Sequence, residues 1–177
     1  IQKTDITYVV ANRLLKKSED QKAKIREYLE PFAKFYEGWT ESLSEFVDLF
    51  PVHPNYVSTF ERLPVVEQRG VLQVLSNRFE KMADQELPAD YPGLLALDSF
   101  WSYIKDNPQF RANDDLKATM ECADLLSSKV ETGFPKNRKQ YKGMAKRIVD
   151  GLAVHRLTTS NINAPLGMTP EEIRDQL

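Results

Sequence analysis

Between residues 133 and 156 stand Lys136, Arg138, Lys139, Lys142, Lys146, Arg147 and Arg156, opposed by one acid, Asp150. That is a local excess of six positive charges in a chain whose formal net charge is -2. On a continuous helix Lys139, Lys142 and Lys146 share one face, with Lys136 less well aligned. Such a stripe can meet the phosphates of DNA, each contact adding salt-sensitive affinity. The nucleic-acid contacts would then be Lys136, Arg138, Lys139, Lys142 and Lys146. The stripe can equally meet an acidic partner surface, or the phosphates of a nucleotide held elsewhere. The plain alternative is a solvated helix face. Charge alone leaves all of these open.

Other chemistry-bearing residues are sparse. His53 sits in Phe50-Pro51-Val52-His53-Pro54, a rigid connector in which its ring can cap a helix end. His155 falls on the apolar face of a helix, and neither histidine has a partner at metal-ligand spacing. Both read as structural, and no metal site is expected. Cys122 lies among Met120, Ala123 and Leu125 and reads as a buried, inert thiol. As the single cysteine, it excludes an internal disulfide framework and any multi-cysteine zinc or iron–sulfur site. The seven glycines form no G-x-x-x-x-G-K and no G-x-G-x-x-G, so the chain carries no recognisable nucleotide cradle of its own. Glu19/Asp20, Asp114/Asp115 and Glu171/Glu172 fall at or near helix starts, where carboxylates complement the helix dipole. Phe32, Phe35, Tyr36 and Trp39 have helical spacing and read as core, as do Phe100, Trp101 and Tyr103. No catalytic residue emerges.

The elements that must position these residues are helical. A first helix is expected near 5–16, from Ile6, Val9, Val10 and Leu14. Ser18 with Gln21 gives a capping box ahead of Ile25, Leu29 and Phe32, and Pro31 is expected to kink or restart that helix. Leu43, Phe46, Leu49 and Phe50 form the next stripe, ended by Pro51 and Pro54. Tyr56, Val57 and Phe60 predict a short helix, and Val65 to Met82 a longer one. The stretch 85–96, with Pro88, Pro92 and Gly93, reads as a long loop. Asp98 or Ser99 would cap a helix carrying Phe100, Trp101, Tyr103 and Ile104. Asn113 would cap the next, with Leu116, Met120, Ala123, Leu126 and Val130 on one face. After Gly133 and Pro135, Tyr141, Met144, Ile148, Leu152 and His155 carry the last long helix.

No segment alternates strictly every two residues, and no Asn-Gly or Asp-Gly hairpin signal occurs. The expected fold class is therefore all-α, with eight or nine helices in a single multi-helix domain. The chain's 177 residues suffice for one domain with its own core. No apolar run approaches the roughly 20 residues a membrane span needs. The chain opens at Ile1 without a signal-peptide pattern. At its other end Thr169-Pro170-Glu171-Glu172 caps a helix that stops at Leu177, so a piece of a longer protein is expected.

Three stretches carry a family resemblance. They are Leu49-Phe50-Pro51-Val52-His53-Pro54 running to Thr59-Phe60-Glu61, then Asp98-Ser99-Phe100-Trp101 with Asn107-Pro108, and Val154-His155-Arg156-Leu157-Thr158-Thr159 running to Ala164-Pro165-Leu166-Gly167. They resemble a family of very large bacterial P-loop ATPases from phage-resistance gene clusters (BREX and phage growth limitation), of the PglY and BrxC type. The opening Thr4-Asp5-Ile6 to Arg13-Leu14-Leu15-Lys16-Lys17 also fits the segment after the ATPase core of such proteins.

The resemblance implies a noncatalytic, lid-like helical domain over 1–157, following an ATPase core that lies upstream. Residues 158–177 would then be a linker and the start of a helical or winged-helix module. ATP and magnesium would belong to the full-length protein, with no cofactor held by this piece. Arg156, or Arg147, would sense the nucleotide. The implied partners are the remainder of the ATPase chain, other phage-defence proteins and DNA, in the cytoplasm and without a membrane. The rival reading is a nucleic-acid-binding module built on 136–147. A free-standing enzyme would need an acid/base or nucleophile set that is not found.

Overall fold

The computed structural model describes residues 14–63, 68–159 and 167–177, with backbone alone at 60, 61, 68–73 and 115. Among these residues the fold is all-helical: nine α-helices, one 3-10 helix and no strand. The helices are α1 Glu19–Ala33, α2 Trp39–Leu49, α3 Pro54–Glu61, α4 Gln68–Met82, α5 Ser99–Asp106, α6 Pro108–Arg111, α7 Asp114–Gly133, α8 Lys142–Thr158 and α9 Pro170–Gln176. The helix expected near 5–16 falls largely outside the described residues. No described helix is long and apolar enough to cross a membrane.

Local signals set most boundaries. At α1, Ser18 Oγ accepts from the Gln21 amide at 3.2 Å while Gln21 Oε1 accepts from the Ser18 amide at 2.9 Å. The same reciprocal box opens α9, between Thr169 and Glu172. Each such cap contributes about 1 kcal/mol by satisfying amides that the first turn leaves unbonded. Pro31 lies inside α1 without interrupting it, and the helix ends at Ala33. So late in a helix, the bond proline removes leaves most of the ladder intact. The four-residue α6 follows from Asn107, whose Oδ1 accepts from the Gln109 amide at 2.9 Å, with Pro108 pre-set for the first helical position.

The chain divides into two compact units, residues 1–61 with 66–96 and residues 62–65 with 97–177. In the first, Leu29 and Ala33 of α1 close on Trp39, Leu43, Phe46 and Val47 of α2, with Leu94 from the long loop. Trp39 stacks on Tyr36 at 4.3 Å and lies 4.0 Å from Phe46, centroid to centroid. Phe35 is 61% exposed, against the expectation of core, with Lys34 over its ring. The helix has already ended before it, so α-helical spacing no longer sets its direction. The loop 85–96 is ordered by Tyr28, whose hydroxyl lies 2.9 Å from the Pro88 carbonyl and 3.1 Å from that of Tyr91. Its end pairs with the Pro51–His53 connector, where the Leu95 amide donates to Pro51 O and the His53 amide to Leu95 O. His53 does cap a helix: its Nδ1 accepts from the Asn55 amide in the first turn of α3 at 3.1 Å.

In the second unit Phe100, Trp101 and Ile104 of α5 are buried, as are Phe110, Leu116, Ala123, Val149, Ala153 and Val154 from α6, α7 and α8. Helices α7 and α8 run antiparallel, joined by the 3-10 helix Lys136–Tyr141. Helix α9 belongs to this unit, and Leu177 just beyond it fills the space beside Gly151 of α8.

Candidate interaction surface

The basic run spans two consecutive helices. Lys136, Arg138 and Lys139 lie in the 3-10 helix, and α8 begins only at Lys142. At three residues per turn a 3-10 helix holds positions three apart at one angle, as Lys136, Lys139 and Lys142 are spaced. The two halves differ in partners. Lys142 pairs with Glu131 of α7, and Lys146 lies 3.5 Å from Asp150 one turn on. Lys136, Arg138 and Lys139 are exposed and form no ion pair among the described residues.

Arg147 and Arg156 point to different places. Arg147 Nε lies 2.9 Å from Asp98 Oδ2, and its Nη2 also donates to the Leu177 carbonyl. Asp98 holds the N-cap position of α5 without capping it, because its carboxylate is committed to Arg147. Arg156 is exposed near the C-terminal end of α8 and lines an open groove of about 490 Å³.

That groove lies between α7 and α8. Thr119, Cys122 and Leu126 of α7 form one wall, spaced three and four residues apart, and Val149 and Leu152 of α8 form the other. His155, Arg156, Gly167 and Met168 close one end. Burial pushes the His155 imidazole below its usual value, and Arg62 adds to this. Glu172 and a hydrogen bond from the imidazole to the backbone of Gly167 act in the opposite direction. Beyond the groove, Met144 is 46% and Tyr141 55% exposed. Large apolar groups are thus left open along the α7–α8 hairpin.

Cys122 is exposed, not buried as expected. Both Cys122 and Ala123 line the groove, but successive helical residues turn by about 100°, so Ala123 lies buried at its floor while Cys122 is exposed on its wall. Leu126, on one face with Ala123 by spacing, lines the groove beside it and is 39% exposed. The clue lay in adjacent apolar residues: Leu125 and Leu126 together span a wider arc than one packing partner covers.

On the core side of α8, Asp150 is half-buried, with Oδ1 lacking a hydrogen-bond partner. Desolvation raises its pKa above the ordinary carboxylate value; Lys146 and Lys105 oppose the rise and Asp98 adds to it. Among the described residues no group of three or more His, Cys, Asp or Glu could hold a metal ion.

Residues 18–177, nearly the whole chain, match the family described as DUF6079 second domain. No curated protein and no solved structure matches.

Proposed function

The chain belongs to the family of DUF6079 second domains, and from that premise we propose that it is a noncatalytic assembly module. In this reading it is the helical, lid-like region of a phage-defence P-loop ATPase of the PglY and BrxC type. It couples nucleotide state in the upstream core to contacts with the rest of that chain and with other phage-defence proteins in the cytoplasm. ATP and magnesium are held by the core. The observation that carries the reading is the α7–α8 hairpin, which leaves Leu125, Leu126, Tyr141 and Met144 open together. Apolar surface of that kind is the usual mark of a protein contact. The three matched sequence stretches support the assignment to phage defence.

The test is co-purification of this chain with the ATPase core of its own protein, in ATP, in ADP and without nucleotide. Association that changes with the nucleotide is expected. Tight ATP binding or hydrolysis by this chain alone would overturn the reading.

A second reading, a nucleic-acid-binding module, is favoured by Lys136, Arg138 and Lys139, which are exposed and form no ion pair among the described residues. It calls for binding to duplex DNA that weakens steeply with salt and is lost when these three become Glu. Lys142 and Lys146 are poor targets for that reversal, since both already face acids.

A further inference from the structure

We propose that the α7–α8 groove is the docking site for an acidic amphipathic helix of a protein partner. This deepens the assembly reading and rests on it.

The shape suits a helix. Two antiparallel helices with apolar residues at intervals of three and four present a channel into which a third helix can lay the same spacing. The lining stretch of α7, Thr119 to Leu126, gives about 10 Å of wall, the length of an i to i+7 stripe. Thr119, Cys122 and Leu126 face Val149 and Leu152 across the channel. A phosphate backbone has no apolar edge to fill such a floor, whereas a helix carrying Leu or Met at i, i+3, i+4 and i+7 does.

The charge selects the sign of the occupant. Arg156 stands at one end of the groove, and the exposed Lys136, Arg138 and Lys139 stand at the turn that closes the other end of the hairpin. The neighbouring acids are mostly spent internally. Glu131 holds Lys142, Asp124 holds Lys105 at 2.6 Å, and Asp150 faces Lys146. Glu172 is engaged in the capping box of α9, and Glu121 lines a separate recess with Trp101 and Arg111. An incoming helix therefore meets an apolar floor with exposed cations, unpaired among the described residues, at one end and beyond the other. Glu and Asp flanking its apolar stripe are complementary to that pattern, and Lys or Arg are repelled.

Cys122 supplies the readout, being the single cysteine of the chain and exposed on the groove wall. The experiment follows alkylation of Cys122 by iodoacetamide with two synthetic 18-residue helical peptides. Both carry Leu at i, i+3, i+4 and i+7; one has Glu at the flanking positions and the other Lys. The expected result is that the Glu peptide slows alkylation at least about tenfold at saturation and binds at least about tenfold tighter than the Lys peptide. Leu126→Glu, at an exposed position and checked for native helicity by circular dichroism, should remove binding.

No protection by either peptide, or equal protection by both, overturns the proposal. So does protection by duplex DNA in place of the Glu peptide. The same assay keeps this failure apart from failure of the assembly reading. An ATPase core that associates while leaving Cys122 reactive sinks the groove alone. A Glu peptide that protects Cys122 while the core never associates sinks the assembly reading and leaves the groove standing.

Discussion

Arg147 of α8 grips Asp98 at the head of α5, with Nε 2.9 Å from Oδ2 and Nη2 3.4 Å from Oδ1. The same guanidinium donates to the carbonyl of Leu177 after α9. One side chain thus joins three elements of the second unit. Only arginine can do this, because its planar fork presents several donors in fixed directions. A basic residue in a basic run looks from sequence like a surface charge, yet here it is an internal clamp.

Replacing Arg147 with Met should cost about 1.5–3 kcal/mol, because the Asp98 carboxylate, only 14% exposed, loses its charged partner. Arg147→Lys should keep part of this, having the charge but not the fork. Urea unfolding of both variants gives the answer. An unchanged midpoint for Arg147→Met would mean that the contact with Asp98 contributes nothing to stability.

Gly93 adopts φ +62°, and a Cβ there would stand 2.9 Å from Pro88 Cδ. Gly38 is also left-handed, at φ +74°, but faces open space. The conformation alone costs an L-residue about 1–2 kcal/mol. Gly38→Ala should lose about that much. Gly93→Ala should lose more, since Pro88 lies beside the loop anchor made by Tyr28. Thermal melts of the two variants side by side separate strain from collision, and equal losses would mean that the loop yields freely.

Asp150 should make stability fall as pH rises. Its folded-state pKa is raised, chiefly by desolvation, so the folded chain holds this proton more tightly than the unfolded chain does. The contribution is fully present below the ordinary value of 3.8 and is lost as pH climbs through the higher folded value. Asp150→Asn removes the charge, so its melting temperature relative to the parent should improve between pH 3.5 and pH 7. A constant difference across that range would show that Lys146 fully compensates the buried carboxylate.

Much of the fold was legible because its signals are local. Ser18 with Gln21 and Thr169 with Glu172 are short-range bonds that a few residues dictate, and both form as the sequence requires. His53 between two prolines reads as a cap for the same reason, and it is one. The site was less legible because it depends on helix rotation and on which charges meet across helices. Nothing near Arg147 in sequence announces Asp98, 49 residues away. Lys142 and Lys146 look alike beside Lys139, yet Glu131 across on α7 engages the first, Asp150 one turn on engages the second, and no acid among the described residues engages the third. Cys122 and Leu126 went astray because the face of a long helix is fixed only once its neighbour is placed.

The depth of the groove is itself open to measurement through two of its lining residues about one turn apart. Ala123 is 3% exposed at the floor, whereas Leu126 is 39% exposed on the wall. A glutamate at 123 would bury a charge with no partner, at a cost of about 3 kcal/mol or more. A glutamate at 126 leaves its carboxylate in water and should shift stability by no more than about 0.5 kcal/mol. Denaturant unfolding of Ala123→Glu and Leu126→Glu tests the difference directly. Similar losses at both sites would mean that α7 presents another face to α8, and the groove walls drawn from Thr119, Cys122 and Leu126 would have to be redrawn. A large loss at 123 alone places Ala123 at the buried floor and Leu126 on the open wall, where the cysteine can report an incoming helix.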